Sequence, residues 1–199
     1  LLAHVDAGKT TLAEAMLAVA GAIRNPGRVD SGDSHLDTDA MERERGITIF
    51  SSSAALDWDD AHLMLVDAPG HVDFSAEAER TLQALDYAIL VVGANDGVQG
   101  HTETLWDLLE RHAIPTFVFV NKCDLESPGR EELLAELSAR LSTGCVDAAA
   151  LLAGYPAATE EAAASDEAAL DEYLESGELA TATLARIVAA RGVFPCFFG

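Results

Sequence analysis

The run Ala3-His-Val-Asp-Ala-Gly-Lys-Thr10 constrains this chain more than any other stretch. A loop of small residues that ends in Gly8-Lys9-Thr10 and runs into a helix-like segment turns successive backbone N–H groups toward an anion. His4, Val5, Asp6, Ala7, Gly8, Lys9, Thr10 and Thr11 supply those groups, and the helix N-terminus adds its partial positive charge. Phosphate suits that geometry. Lys9 is placed to reach the β- and γ-phosphates of a nucleotide, and the Thr10 hydroxyl can ligate the Mg2+ that neutralises them. The usual first glycine of such a loop is Ala3 here, which is tolerable where that residue avoids positive φ. Taken alone, the run also reads as a plain turn.

A second segment adds the metal partner. His62-Leu-Met-Leu-Val-Asp67 reads as a strand with an acid at its carboxyl end, followed by Ala-Pro-Gly-His71. Asp67 in that position faces the phosphates and can hold Mg2+ through water, while the N–H of Gly70 can contact the γ-phosphate. An acid before Pro-Gly is also a common strand-ending turn. The upstream Lys9 loop favours the phosphate reading.

The third segment selects the base. Ile114-Pro-Thr-Phe-Val-Phe-Val120 is a short apolar strand that delivers Asn121-Lys-Cys-Asp124 at its carboxyl end, where open α/β sheets place ligands. The Asp124 carboxylate can accept from the ring N–H and the exocyclic amine of guanine together, a donor pair that adenine lacks. Asn121 would tie the base loop to the phosphate loop, and the Lys122 stem could cover the face of the base. In isolation the same four residues are a solvated turn. Together the three segments imply a GTP site, with GTP as substrate, GDP as product and Mg2+ as cofactor.

These motifs resemble a known family. The A-H-V-D-A-G-K-T-T-L run, Arg45-Gly-Ile-Thr-Ile49, D-A-P-G-H with His71 and N-K-C-D form the pattern of the translational GTPases, and the resemblance covers nearly the whole chain. Residues 36–49, Gly70-His-Val-Asp-Phe74 and Asp96-Gly-Val-Gln99 look like the group that holds elongation factor G and the tetracycline-resistance ribosomal protection proteins. The resemblance implies that His71 orients the attacking water, that Thr48 binds Mg2+ and senses the γ-phosphate, and that Asp6 balances charge near the phosphates. It also implies that the ribosome activates slow intrinsic hydrolysis, since Arg43, Arg45 and Arg80 are as readily solvated or charge-paired as placed for catalysis.

The implied fold is an α/β P-loop GTPase fold. It should have a mostly parallel six-stranded sheet, helices on both faces, one antiparallel edge strand and a helical acidic insert. A 49% hydrophobic share supports a real core in one domain spanning 1–199. Periodicity predicts helices near 9–21, 75–84, 101–112 and 130–142, and strands near 48–57, 62–67, 87–93, 115–120 and 193–197. Residues 25–45 carry Pro, Gly and charges with little apolar periodicity and should form a switch ordered by γ-phosphate and Mg2+. The Ser-Ala loop that closes over the base in such proteins does not follow Asp124, which predicts a family-type insert over roughly 144–190. Leu170-Asp-Glu-Tyr-Leu-Glu-Ser-Gly-Glu-Leu179 and Val193-Phe-Pro-Cys-Phe-Phe-Gly199 look closer to ribosomal protection proteins than to elongation factor G. The chain is expected to be cut at both ends, with part of its first strand and that Ser-Ala loop missing.

Charge limits the partners. With 12 Lys and Arg against 34 Asp and Glu, the net charge is −22, so no basic stripe is available for broad nucleic-acid binding. The acidic insert reads as a solvated helical face, or as a docking surface for a ribosomal stalk protein. Cys123, Cys145 and Cys196 have no paired spacing, and the histidines form no ligand cluster, which predicts reduced thiols without structural zinc. With no long apolar run, the expectation is a cytoplasmic monomer without membrane contact. The functional expectation is a ribosome-activated GTPase that protects against tetracycline. A translocation factor of the elongation factor G type and a non-catalytic nucleotide-sensing docking module are the alternatives.

Overall fold

A computed structural model describes residues 1–24, 52–68 and 81–199. The chain forms two compact units, Leu1–Ala84 and Leu85–Gly199. The described residues form an α/β fold in which parallel strands predominate and one pair is antiparallel.

The first unit begins with strand β1 (Leu2–Ala3), which is buried and leads through a short loop into helix α1 (Lys9–Val19). Ala13 and Leu17 turn inward from α1. Strand β2 (Ser52–Trp58) pairs antiparallel with β3 (Ala61–Asp67), from Ser52 opposite Asp67 to Trp58 opposite Ala61. Asp59 has φ +49°, the left-handed conformation that a two-residue hairpin favours and that Asp tolerates. The outer half of β3 is exposed and its carboxyl end is buried, so the strand dives inward and takes Asp67 with it. A backbone bond of 3.2 Å from the Ala68 N–H to the Leu1 carbonyl ties this end to the start of the chain.

In the second unit four parallel strands lie in the order β4-β5-β7-β6. Strand β4 (Ala88–Gly93) is Ala-Ile-Leu-Val-Val-Gly, the near-continuous apolar run of a strand covered on both faces. It pairs with β5 (Thr116–Asn121) from Ala88 opposite Thr116 to Gly93 opposite Asn121. Between them runs α2 (Gly100–Arg111), opened by a capping box of Gln99 and Thr102 and anchored by Leu105, Trp106 and Leu109. Helix α3 (Arg130–Arg140) buries Leu133 and Leu137. Strand β6 (Cys145–Asp147) follows, then helices α4 (Ala148–Leu152), α5 (Pro156–Ala163), α6 (Glu167–Ser176) and α7 (Thr181–Ala189), and strand β7 (Phe194–Phe198). Val146, Leu151, Ala158, Ala162, Ala169, Ile187, Val188 and Val193 form one core among these last elements.

The expected helices near 9–21, 101–112 and 130–142 and the strands near 62–67, 87–93, 115–120 and 193–197 are present with ends shifted by a few residues. Of the helix expected at 75–84, residues 75–80 lie outside the described residues, and so does the start of the strand expected at 48–57. Strand β6 has no counterpart among the expected strands, because Cys-Val-Asp is too short to show a period. The switch expected over 25–45 also lies outside the described residues.

Helices α4 and α6 each start on an acid. Asp147 accepts from the N–H groups of Ala149 and Ala150 at 2.9 and 3.1 Å, and Asp166 accepts from Ala169 at 2.9 Å. Arg186 also grips Asp166 with bonds of 3.0 and 2.7 Å. The Arg186 bonds, helped by the Ala169 N–H, lower the Asp166 carboxyl to about 2. A carboxyl held below its unfolded value stabilises the fold fully above that value, and the contribution vanishes as pH falls through the folded one. Asp166→Asn should therefore lower Tm by no more than a few degrees near neutrality, a deficit that closes between about pH 4 and pH 2. Thermal unfolding followed by circular dichroism across that range checks it. A deficit that stays constant with pH would contradict the assignment.

Candidate functional site

In the first unit the loop from His4 to Gly8 delivers Lys9 and Thr10 onto one carboxylate. Asp6 has φ +62° and Gly8 has φ +89°, two left-handed residues that wind the backbone tightly before α1. At the second of these only glycine is free of steric cost. The Ala7 N–H donates to the His4 carbonyl at 3.2 Å, and the Leu12 N–H reaches the Gly8 carbonyl at 2.9 Å to start the helix. No side chain caps α1, and its first turn holds no acid. The partial positive charge of that helix end is therefore not offset by a capping carboxylate, an arrangement suited to an anion.

Lys9 and Thr10 meet Asp67. The Lys9 ammonium donates to Asp67 Oδ1, and the Thr10 hydroxyl donates to Asp67 Oδ2 at 2.9 Å. The Lys9 side chain is 8% exposed and that of Asp67 0%, so the pair is taken almost wholly out of water. Burying two charges costs several kcal/mol each, about what their attraction and hydrogen bonds return, whereas removing one partner costs roughly 3–5 kcal/mol because the other is stranded. Chemically, the arrangement joins a hydroxyl and a carboxylate at one point. These are hard oxygen donors of the kind Mg2+ prefers when phosphates and water complete its shell. Thr48, Gly70 and His71 lie outside the described residues.

The second unit carries the other candidate set. Asn121 ends β5 opposite Gly93, and the chain turns at once through Lys122, whose φ is +66°. Three backbone bonds hold this turn. The Ala94 N–H donates to the Asn121 carbonyl at 2.8 Å, the Cys123 N–H to the Gly199 carbonyl at 3.1 Å, and the Leu125 N–H to the Lys122 carbonyl at 3.2 Å. A bond of 3.0 Å from the Gly199 N–H to the Val120 carbonyl continues the β5–β7 ladder up to the turn. Asn121 and Lys122 are half-buried, and Asp124 is exposed at the carboxyl edge of the parallel sheet. Motif reading missed the two supports of this turn, Ala94 and Gly199. They are small residues that act through the backbone, and no side-chain pattern marks them.

Among the described residues no group of three or more His, Cys, Asp or Glu could hold a metal ion, and no helix is long and apolar enough to cross a membrane. Cys123, Cys145 and Cys196 are free thiols.

Comparison with known proteins places these features. The family described as the elongation factor Tu GTP binding domain matches residues 1–193. Tetracycline resistance protein TetO of Streptococcus mutans is 46% identical over 143 residues, which cover 72% of this chain and 22% of that protein. The mitochondrial ribosome-releasing factor 2 of Danio rerio is 45% identical over 146 residues, 73% of this chain and 19% of that protein. The chain thus spans about a fifth of the length of these curated relatives. A crystal structure of a protein from Thermus thermophilus superposes with a TM-score of 0.85 at 26% identity, covering 100% of this chain and 36% of that one. With the phosphate-type loop, the buried Lys9–Asp67 pair and the Asn-Lys-Cys-Asp turn on a mostly parallel α/β fold, the match over residues 1–193 has a structural counterpart. The chain belongs to the elongation factor Tu GTP-binding domain family.

Proposed function

We propose that this chain is the GTP-hydrolysing domain of a cytoplasmic, ribosome-activated protein that protects ribosomes from tetracycline. The convergence of Lys9 and Thr10 on Asp67 supports the nucleotide chemistry, and the 46% identity to TetO supports the choice of role. The N–H groups of His4 to Thr11, together with Lys9, bind the β- and γ-phosphates, and the Gly70 N–H contacts the γ-phosphate. Thr10, Thr48 and Asp67 would hold Mg2+, which supplies charge neutralisation on the phosphates when bound. Asp6 balances charge beside them. His71 orients a water for in-line attack on the γ-phosphorus; the bond to the bridging oxygen breaks, and GDP and phosphate leave. Asn121, Lys122 and Asp124 select guanine. Residues 1–199 lie within one GTP-binding domain that acts as a monomer, with 144–190 as its insert, whose acidic face is a candidate docking surface for a ribosomal stalk protein.

A second reading, a factor of the elongation factor G type, is favoured by the almost equal identity to ribosome-releasing factor 2. GTP hydrolysis by the full-length protein on tetracycline-stalled ribosomes separates the two. Coupled release of drug and phosphate supports protection, and hydrolysis without drug release supports the elongation factor reading. No stimulation by ribosomes would leave a nucleotide-sensing module. His71→Ala should cut stimulated hydrolysis by about 10²-fold or more while GTP binding stays within about twofold of the parent. Hydrolysis that survives this change would remove His71 from the mechanism.

A further inference from the structure

The Asp96-Gly-Val-Gln99 segment has no part in the phosphate or guanine chemistry above, yet it is held at both ends. At one end the Ala94 N–H donates to the carbonyl of Asn121 at 2.8 Å, and the N–H groups of Asp96 and Gly97 return to the Gly93 carbonyl at 3.2 and 2.9 Å. At the other end α3 grips Val98. Its N–H donates to Glu136 Oε1 at 2.9 Å, and Arg140 donates to its carbonyl oxygen. Arg140 in turn pairs with Glu103 at 2.9 Å and with Glu136 at 3.4 Å, which fixes the angle of the grip. The Val98 side chain is buried. Gly97 has φ +62°, and a Cβ there would lie 2.6 Å from Glu136 Oε2, so only glycine lets the carboxylate come this close.

We propose that Glu136 and Arg140 are positioning residues for the guanine turn, acting through residues 94–98 on the backbone of Asn121. The inference rests on the guanine reading of Asn121-Lys-Cys-Asp124. Asn121 lies at the end of β5, where β4 has stopped at Gly93, so the Ala94 bond is its neighbour-strand support beyond the ladder. Release of Val98 from α3 frees the segment that carries that bond. The expected effect is on the base, because Glu136 and Arg140 hold Val98, in the segment whose Ala94 N–H bonds the Asn121 carbonyl.

The test compares Glu136→Ala and Glu136→Gln in the full-length protein, titrated with GDP and with inosine diphosphate, which lacks the exocyclic amine. Titrations are made well below the Tm of each variant. Glu136→Ala should weaken GDP binding about fivefold and narrow the preference for GDP over inosine diphosphate. Glu136→Gln keeps an oxygen that accepts from the Val98 N–H and should bind GDP within about twofold of the parent. Unchanged GDP affinity and unchanged preference in Glu136→Ala, with only a lowered Tm, would reduce the clamp to a structural one and overturn the proposal. Equal losses in both variants would overturn the route through the Val98 N–H. A parent protein that binds neither nucleotide overturns the guanine reading itself, a failure distinct from the other two.

Discussion

Lys9→Ala should cut GTP affinity by on the order of 10²- to 10³-fold, because charge-assisted bonds to two phosphates disappear together. The same change should lower stability. Asp67 is fully buried and accepts from Lys9, so its carboxylate keeps the Thr10 hydroxyl bond at 2.9 Å but loses its ammonium partner. A stranded buried charge costs roughly 3–5 kcal/mol, which for a chain of this size is a fall in Tm of about 6–20 °C. The two effects separate in the double variant Lys9→Ala with Asp67→Asn. Removing the stranded charge should recover much of the lost Tm while the affinity stays low, since the phosphate contact is still absent. Titration calorimetry with GTP and thermal unfolding of the three proteins give both readouts. A single variant that binds within about threefold of the parent would remove Lys9 from phosphate binding.

Asp124→Ala should erase base selection. A site that hydrogen-bonds its ligand rejects an analogue without the matching groups by about 10⁴ to 10⁵, so losing both acceptors should drop GDP affinity by about 10³. ADP binding should hardly change. Asp124→Asn makes a sharper forecast. One acceptor becomes a donor, which suits a purine with a carbonyl in place of the exocyclic amine, so xanthine nucleotides should then outbind guanine ones. Competition of GDP, ADP and xanthosine diphosphate for a fluorescent nucleotide measures all three. If Asp124→Asn keeps its preference for GDP, the carboxylate does not read the base.

Particular residues show why some of this was legible before any coordinates. Asp67 could be placed at a strand end because Leu63-Met-Leu-Val66 is an apolar run too short for a helix and is stopped by Pro-Gly. Helix α2 could be placed because Leu105, Trp106, Leu108 and Leu109 recur at helical spacing on one face. Strand β6 had no such signal. Nor could the positive φ of Asp6 and Lys122 be read, since neither residue type requires it and both are held there by surrounding backbone bonds.

The order of amino acids alone carried the family and the α/β class, and it named the candidate chemistry-bearing groups. These are properties of local pattern: a small-residue loop before a helix, an acid after a strand, Asn-Lys-Cys-Asp after another. The tertiary structure decided which groups meet. Lys9 and Asp67 stand 58 positions apart, and Val98 and Glu136 stand 38 apart. The sheet order β4-β5-β7-β6 puts the last strand between two earlier ones, so that Gly199 supports the turn at Cys123. Periodicity reports which face of an element is apolar, and many pairings of such faces satisfy it. Only the simultaneous burial of all of them, with buried charges such as Lys9 and Asp67 partnered, selects one.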